Sequence, residues 1–163
     1  MKVTCLTAGG RSRTVDRASL LDAAARERME VGGLKTMGDV GYLDDEGFLF
    51  IVDRQADMVI SGGVNIYPVE IENALLGMPG VADCAVFGIP DDEFGEALAA
   101  VVQPVPGVGL QAEAVQAWLR ERLAGYKVPR VVQFNAQLPR EETGKIFKRR
   151  LREPFWAGRE RRV

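Results

Sequence analysis

The run from Val52 to Glu72, VDRQADMVISGGVNIYPVEIE, constrains this chain more than any other. Met58, Val59 and Ile60 form an apolar strand candidate that stops at Ser61-Gly62-Gly63, where the backbone is free to take positive φ or to lie against a ligand without Cβ interference. Pro68 then stands where a first helical turn tolerates proline, with Glu70 and Glu72 near the positive end of the helix dipole. Local physics leaves two readings open: an ordinary strand-loop-helix corner, or a loop shaped to meet a ligand.

A chain of 163 residues has room for one domain with a real core, or for one domain plus a piece of another. Its 47% hydrophobic and 27% charged residues are those of a soluble globular protein. No run approaches the roughly 18 to 20 apolar residues that a bilayer span needs, and the N-terminus lacks the apolar core of a signal peptide, so a cytoplasmic protein is expected. Cys5 and Cys84 lie far apart without metal-ligand spacing, which argues against a disulfide framework or a zinc site. The absence of histidine excludes Ser-His and Cys-His catalysis and histidine metal sites. Any catalytic group is then a carboxylate, a lysine, an arginine or a backbone amide.

The formal net charge of −2 conceals a basic end. From Arg140 onward, Arg140, Lys145, Lys148, Arg149, Arg150, Arg152, Arg159, Arg161 and Arg162 face four glutamates. Such a cluster suits the phosphates of a nucleotide or a nucleic acid, or is simply a solvated helix face. Few aromatics are interleaved with it and the chain as a whole is slightly acidic, so no nucleic-acid partner is expected.

Along the chain, Ser19 to Glu30 reads as a helix with no sign of chemistry, opened by a capping-box-like Ser19-Leu20-Leu21-Asp22 and stopped at Gly32-Gly33. Asp39, between Gly38 and Val40, is either a hydroxyl acceptor for a sugar or a turn aspartate. Asp44-Asp45-Glu46-Gly47 reads as a turn, Phe48 to Val52 as a strand and Asp53 to Asp57 as a polar break before the next strand at Met58, which together suggest a hairpin or two strands around a pivot. Beyond Pro68 comes a short helix with Ile71, Leu75 and Met78 on one face, then strands at Val81–Ile89 and Glu96–Pro104. Gln111 to Leu123 is an amphipathic helix with Val115, Trp118, Leu119 and Leu123 inward, Val131 to Phe134 a further strand, and Gly144 to Arg152 a basic helix or helical turn. Trp156 is placed to cover a core edge. The pattern gives an α+β fold, a small sheet with a helical layer.

Taken together, Thr36-Met37-Gly38-Asp39, Asp53-Arg54, Ile60-Ser61-Gly62-Gly63-Val64-Asn65-Ile66-Tyr67-Pro68 with Glu70-Ile71-Glu72, Tyr126-Lys127-Val128-Pro129 and Leu138-Pro139-Arg140 with Thr143-Gly144-Lys145 occur in one order. This order resembles the C-terminal part of the adenylate-forming acyl-CoA synthetases, most closely their fatty-acid-CoA ligases, over about Gly33 to Arg152. The resemblance implies a two-step reaction. A carboxylic acid and MgATP give an acyl-adenylate and pyrophosphate, and coenzyme A then takes the acyl group. It implies that Asp39 holds the ribose hydroxyls and that Arg54 lies near the ribose and phosphates. It implies that Lys145 is the catalytic lysine of adenylation, an ammonium opposing the charge that develops on the carboxylate and α-phosphate. By the same resemblance, Ser61, Gly62, Gly63 and Asn65 are expected to form the CoA or thioester loop, presented when the small domain swings. The pivot falls at Ala56, where the family usually has aspartate or lysine.

The expected organisation is therefore an N-terminal extension unlike the family (residues 1–32), the end of the large domain as a short β-hairpin remnant (33–54), a C-terminal lid domain (55–152) and a basic tail (153–163). The glycine-rich phosphate loop, adenine site and acyl pocket of the family do not occur in this sequence, so the expectation is a truncated product, inactive alone, with no tightly bound cofactor and no metal ligands. Its partners would be acyl-adenylate and CoA in the full-length context, with self-association possible through the surface that normally faces the large domain. The alternative is a stand-alone module that binds a partner synthetase or an acyl carrier.

Overall fold

A computed structural model describes residues 2–6, 12–16, 30–31, 34–35, 39–54 and 57–159. The chain divides into two units, Met1–Ala56 and Asp57–Val163. In the first, β1 (Lys2–Leu6) pairs antiparallel with β2 (Ser12–Asp16) and parallel with β4 (Leu34–Lys35), which also holds β3 (Glu30–Val31). The helix expected from Ser19 lies outside the described residues except for Glu30, which opens β3. A separate hairpin joins β5 (Asp39–Leu43) to β6 (Leu49–Arg54). Its turn is held by Asp44, whose Oδ1 accepts the amides of Glu46 and Phe48 at 3.1 and 2.8 Å, and by Gly47 at φ +87°.

The second unit begins with β7 (Val59–Ser61) and β8 (Val64–Ile66), followed by α1 (Pro68–Leu76). The glycine pair is thus the turn of a hairpin rather than a loop leading directly into the helix. Gly62 and Gly63 take φ of +56° and +80°, the two consecutive left-handed residues of a tight primed turn whose twist matches the strands. The strand after it was not expected, because three residues are too short for an alternating pattern.

Next, β9 (Val81–Asp91) and β10 (Gly95–Pro104) form a long antiparallel ladder around a turn in which Asp91 accepts the amides of Glu93 and Phe94. β10 is the centre of the five-stranded sheet. β9 lies along one edge; on the other, β11 (Val131–Phe134) pairs parallel at Ala99–Val102, and β7 touches at Gly95. A strand covered on both faces reads as a continuous apolar run, which explains Ala97 to Val102.

Alternate residues of the ladder enter two cores. Cys84, Val86, Leu98, Ala100 and Val102 pack under α1 and α2 (Ala112–Arg120), against Ile71, Leu75, Val115 and Leu119. Each of these four helical residues is fully buried, worth about 1.5–3 kcal/mol apiece in removed apolar surface. This is the expected helical layer. The opposite face is covered as well: Phe87, Ile89, Ala97, Ala99 and Val101 meet Leu138, Ile146, Leu151 and Phe155 from the C-terminal segment. There, α3 (Lys148–Arg152) runs into a 3-10 turn (Glu153–Trp156), and Trp156 Nε1 donates to the Gly88 carbonyl at 2.9 Å.

The basic helix expected from Gly144 starts only at Lys148. Gly144 takes φ +83°, which a right-handed helix cannot hold, and Arg140 and Ile146 form an antiparallel bridge. Lys145 consequently stands in a small hairpin. The α2 helix also ends earlier than expected, at Arg120, with Leu123 reached through a turn in which its amide donates to the Leu119 carbonyl at 2.8 Å.

Candidate functional site

In the first unit, Asp39 and Arg54 are register partners at the open end of the β5–β6 ladder. The ladder shifts between Val40 and Gly41. A Cβ on Gly41 would stand 2.4 Å from the Phe50 carbonyl oxygen, so this position needs glycine to bring the strands together. Past the turn, Phe48, Leu49, Phe50 and Ile51 are 63, 42, 44 and 53% exposed. Ala56, the expected pivot, lies outside the described residues.

In the second unit, the Ser61–Val64 turn is tied to the neighbouring Asp92–Phe94 turn. The Gly62 amide donates to the Phe94 carbonyl at 2.9 Å, and a Cβ on Gly62 would meet the Phe94 ring at 3.0 Å. The Arg130 guanidinium lies 5.1 Å from the centre of that ring and pairs with Asp91 at 2.5 Å. The Asp91 carboxyl is held below its usual range chiefly by the Phe94 amide, against the opposing effect of burial, with the Glu93 amide and the Arg130 charge adding smaller contributions. Ser61 is half-buried and Asn65 exposed. Beneath the turn, the buried Glu96 carboxylate accepts the Ile60 amide at 2.9 Å and packs against Gly88, where a side chain would leave it no room.

Two ion pairs hold the start of α1. Lys127 Nζ reaches both Glu70 oxygens, at 2.6 and 2.7 Å, and this hydrogen bond raises the lysine pKa above its ordinary value. Lys148 Nζ reaches Glu72 Oε1 at 2.8 Å. That same oxygen accepts the Val86 amide at 2.7 Å, and the Cys84 thiol donates to the Glu72 carbonyl at 3.6 Å. Burial, followed by the Glu72 and Asp83 charges, pushes the Cys84 thiol up to about 12, so it is no nucleophile at neutral pH.

The Lys145 hairpin is built from backbone bonds. Glu141 N donates to Lys145 O at 2.8 Å, Gly144 N to Glu141 O at 2.9 Å, and Phe147 N to Pro139 O at 2.7 Å. Arg140 braces it, donating to the Gly144 carbonyl at 2.8 Å and pairing with Asp83. The Lys145 side chain is exposed, and no salt bridge to it forms among the described residues. An ammonium displayed on a braced turn is available to an anionic reactant.

Among the described residues, no group of three or more Asp, Glu, Cys or His side chains is arranged to hold a metal ion, and no helix is long and apolar enough to cross a membrane. The structure brings the glycine turn, α1 and the Lys145 hairpin into one unit, while Asp39 and Arg54 share the hairpin of the other. Sequence reasoning missed Phe94, Arg130, Glu96 and the partners of Glu70 and Glu72. Each acts across a long stretch of chain and leaves no local spacing to read.

A five-stranded mixed sheet bearing a helical layer, a glycine hairpin and an exposed lysine turn is the architecture of a known domain. Residues 70–145 match the AMP-binding enzyme C-terminal domain, and the chain carries the C-terminal domain of an adenylate-forming CoA ligase. It is 52% identical over 118 residues to feruloyl-CoA synthase of an Amycolatopsis species, covering 72% of this chain and 24% of that protein. It is 46% identical over 134 residues to a long-chain-fatty-acid–CoA ligase of Mycobacterium tuberculosis, covering 82% of this chain and 26% of that protein. Among solved structures, it is similar to o-succinylbenzoate CoA synthetase of Bacillus subtilis in complex with its acyl-adenylate intermediate, with a TM-score of 0.71, 38% identity, and coverage of 80% of this chain and 26% of that one. The chain thus spans about a quarter of the length of these relatives.

Proposed function

We propose that this chain supplies the lid of an acyl-CoA ligase, and that Lys145 and the Gly62-Gly63 turn serve its two successive half-reactions. Lys145 neutralises charge as a carboxylate attacks the α-phosphate of ATP, accompanied by Mg2+. Asp39 accepts the ribose hydroxyls and Arg54 lies by the ribose and phosphates. After a swing about Ala56, the turn from Ser61 to Asn65 lines the path of the pantetheine arm of CoA, where glycines leave the bore clear. The observation that carries this reading is the exposed Lys145 on a braced hairpin, in the same unit as the glycine turn.

Because the chain spans about a quarter of its relatives, it is expected to catalyse neither step alone. Its acyl substrate stays at the class of carboxylic acids, since feruloyl and long-chain fatty acyl ligases both resemble it. A fatty-acid substrate and a cytoplasmic setting belong to this reading as expectations. The test is pyrophosphate release from ATP and a carboxylic acid. The isolated chain should give none, and joining it to the large domain of a related ligase should restore turnover. Activity of the isolated chain, or a joined protein without turnover, would contradict the reading.

A second reading is favoured by the four consecutive exposed apolar residues Phe48 to Ile51. In it, the chain is a module that docks on a partner synthetase or acyl carrier, or on itself. Sedimentation of the chain and of a Phe48→Asp, Phe50→Asp variant decides the self-association branch, which requires an oligomer that the variant dissolves.

A further inference from the structure

Two motifs far apart in sequence meet at one carboxylate. Glu72 lies on α1, which follows directly from the strand that leaves the Gly62-Gly63 turn. Lys148 opens α3, three positions after Lys145. Their side chains are 14 and 21% exposed and 2.8 Å apart, so solvent screens this pair less than an ordinary surface pair. Glu72 Oε1 is also the acceptor for the Val86 amide, which fixes the carboxylate on the open edge of β9. The second brace of the hairpin, Arg140 to Asp83, is more exposed, at 45 and 24%. With only five residues, α3 is too short to hold its own shape without tertiary contacts.

We infer that Glu72 is a positioning residue that locks the Lys145 hairpin to the helix behind the glycine turn, so that the two motifs travel as one rigid piece. Functionally this rests on the lid reading above, in which one motif must leave as the other arrives. Rigid coupling makes a single swing deliver both. Without the lock, Lys145 would be carried on a loose turn, and the swing would no longer fix where its ammonium goes.

The test is residue-resolved amide hydrogen exchange on the full chain, which reports local opening independently of activity. Glu72→Gln keeps an oxygen for the Val86 amide while removing the charge that Lys148 meets. It should speed exchange of the Gly144 and Phe147 amides about tenfold, leaving the Val115 and Leu123 amides of the α2 region unchanged within about twofold. Lys148→Met should do the same, Lys148→Arg should restore protection, and the double variant Glu72→Gln, Lys148→Met should exceed neither single change, because both remove one interaction. Unchanged exchange in the single variants, or additive effects in the double, overturns the lock. If Glu72→Gln unfolds the whole unit, the Met and Arg variants at Lys148 carry the same comparison. Should exchange respond as expected while Lys145→Ala leaves pyrophosphate release intact in the joined enzyme, the lock stands and the functional reading fails.

Discussion

Asp39 and Arg54 stand opposite each other as register partners, at the end of the β5–β6 hairpin away from its turn. The two residues to which the resemblance gives the ribose are thus brought together by a simple ladder, and Gly41 allows the strands to approach. In the joined enzyme, Asp39→Ala should raise the KM for ATP about 10- to 100-fold, the loss expected for hydrogen bonds to a charged acceptor. An unchanged KM would remove Asp39 from the nucleotide site.

The glycine pair separates strain from crowding. Gly62→Ala meets both a φ of +56° and the Phe94 ring, whereas Gly63→Ala meets only its φ of +80°. Both should destabilise the unit, by about 1–2 kcal/mol from the backbone term alone, with Gly62→Ala the worse of the two. Urea denaturation of the two variants checks the order.

Cys84 should be chemically quiet. With its thiol pushed up to about 12 and its side chain buried, almost no thiolate exists at pH 8. In a Cys5→Ser background, reaction with a disulfide reagent should run at least about 100-fold slower than with free cysteine. A rate close to that of free cysteine would mean that the Glu72 neighbourhood opens readily.

Lys127 sets a feature of the alkaline limb. Its pKa is raised in the folded state by Glu70, so the stabilisation from this pair is fully present below the unfolded lysine value, about 10.4, and is lost as pH rises through the higher folded value. Lys127→Met should therefore be less stable than the parent at neutral pH and fall less steeply above about pH 10.5. Melting temperature against pH measures both slopes.

Much of this was legible from local chemistry. The Asp44–Gly47 turn, the start of α1 at Pro68, the apolar ladder and the inward stripe of α2 follow from spacing and turn residues. β8 was not, since three residues carry no periodicity. Nor was the Lys145 hairpin, because the basic run after it favours helix while Gly144 and the Arg140 brace forbid helix before Lys148. The pairings of Glu72 with Lys148 and of Arg130 with Phe94 join distant segments, and only the folded sheet brings them within reach. The ordered motifs carry the resemblance; the contacts between distant segments depend on the fold.

The most direct test separates the half-reactions in the joined enzyme carrying Lys145→Ala. Pyrophosphate release from ATP and acid should fall by several orders of magnitude, while thioester formation from supplied acyl-adenylate and CoA should stay within a few-fold of the parent. Equal loss in both half-reactions would contradict the role given to Lys145.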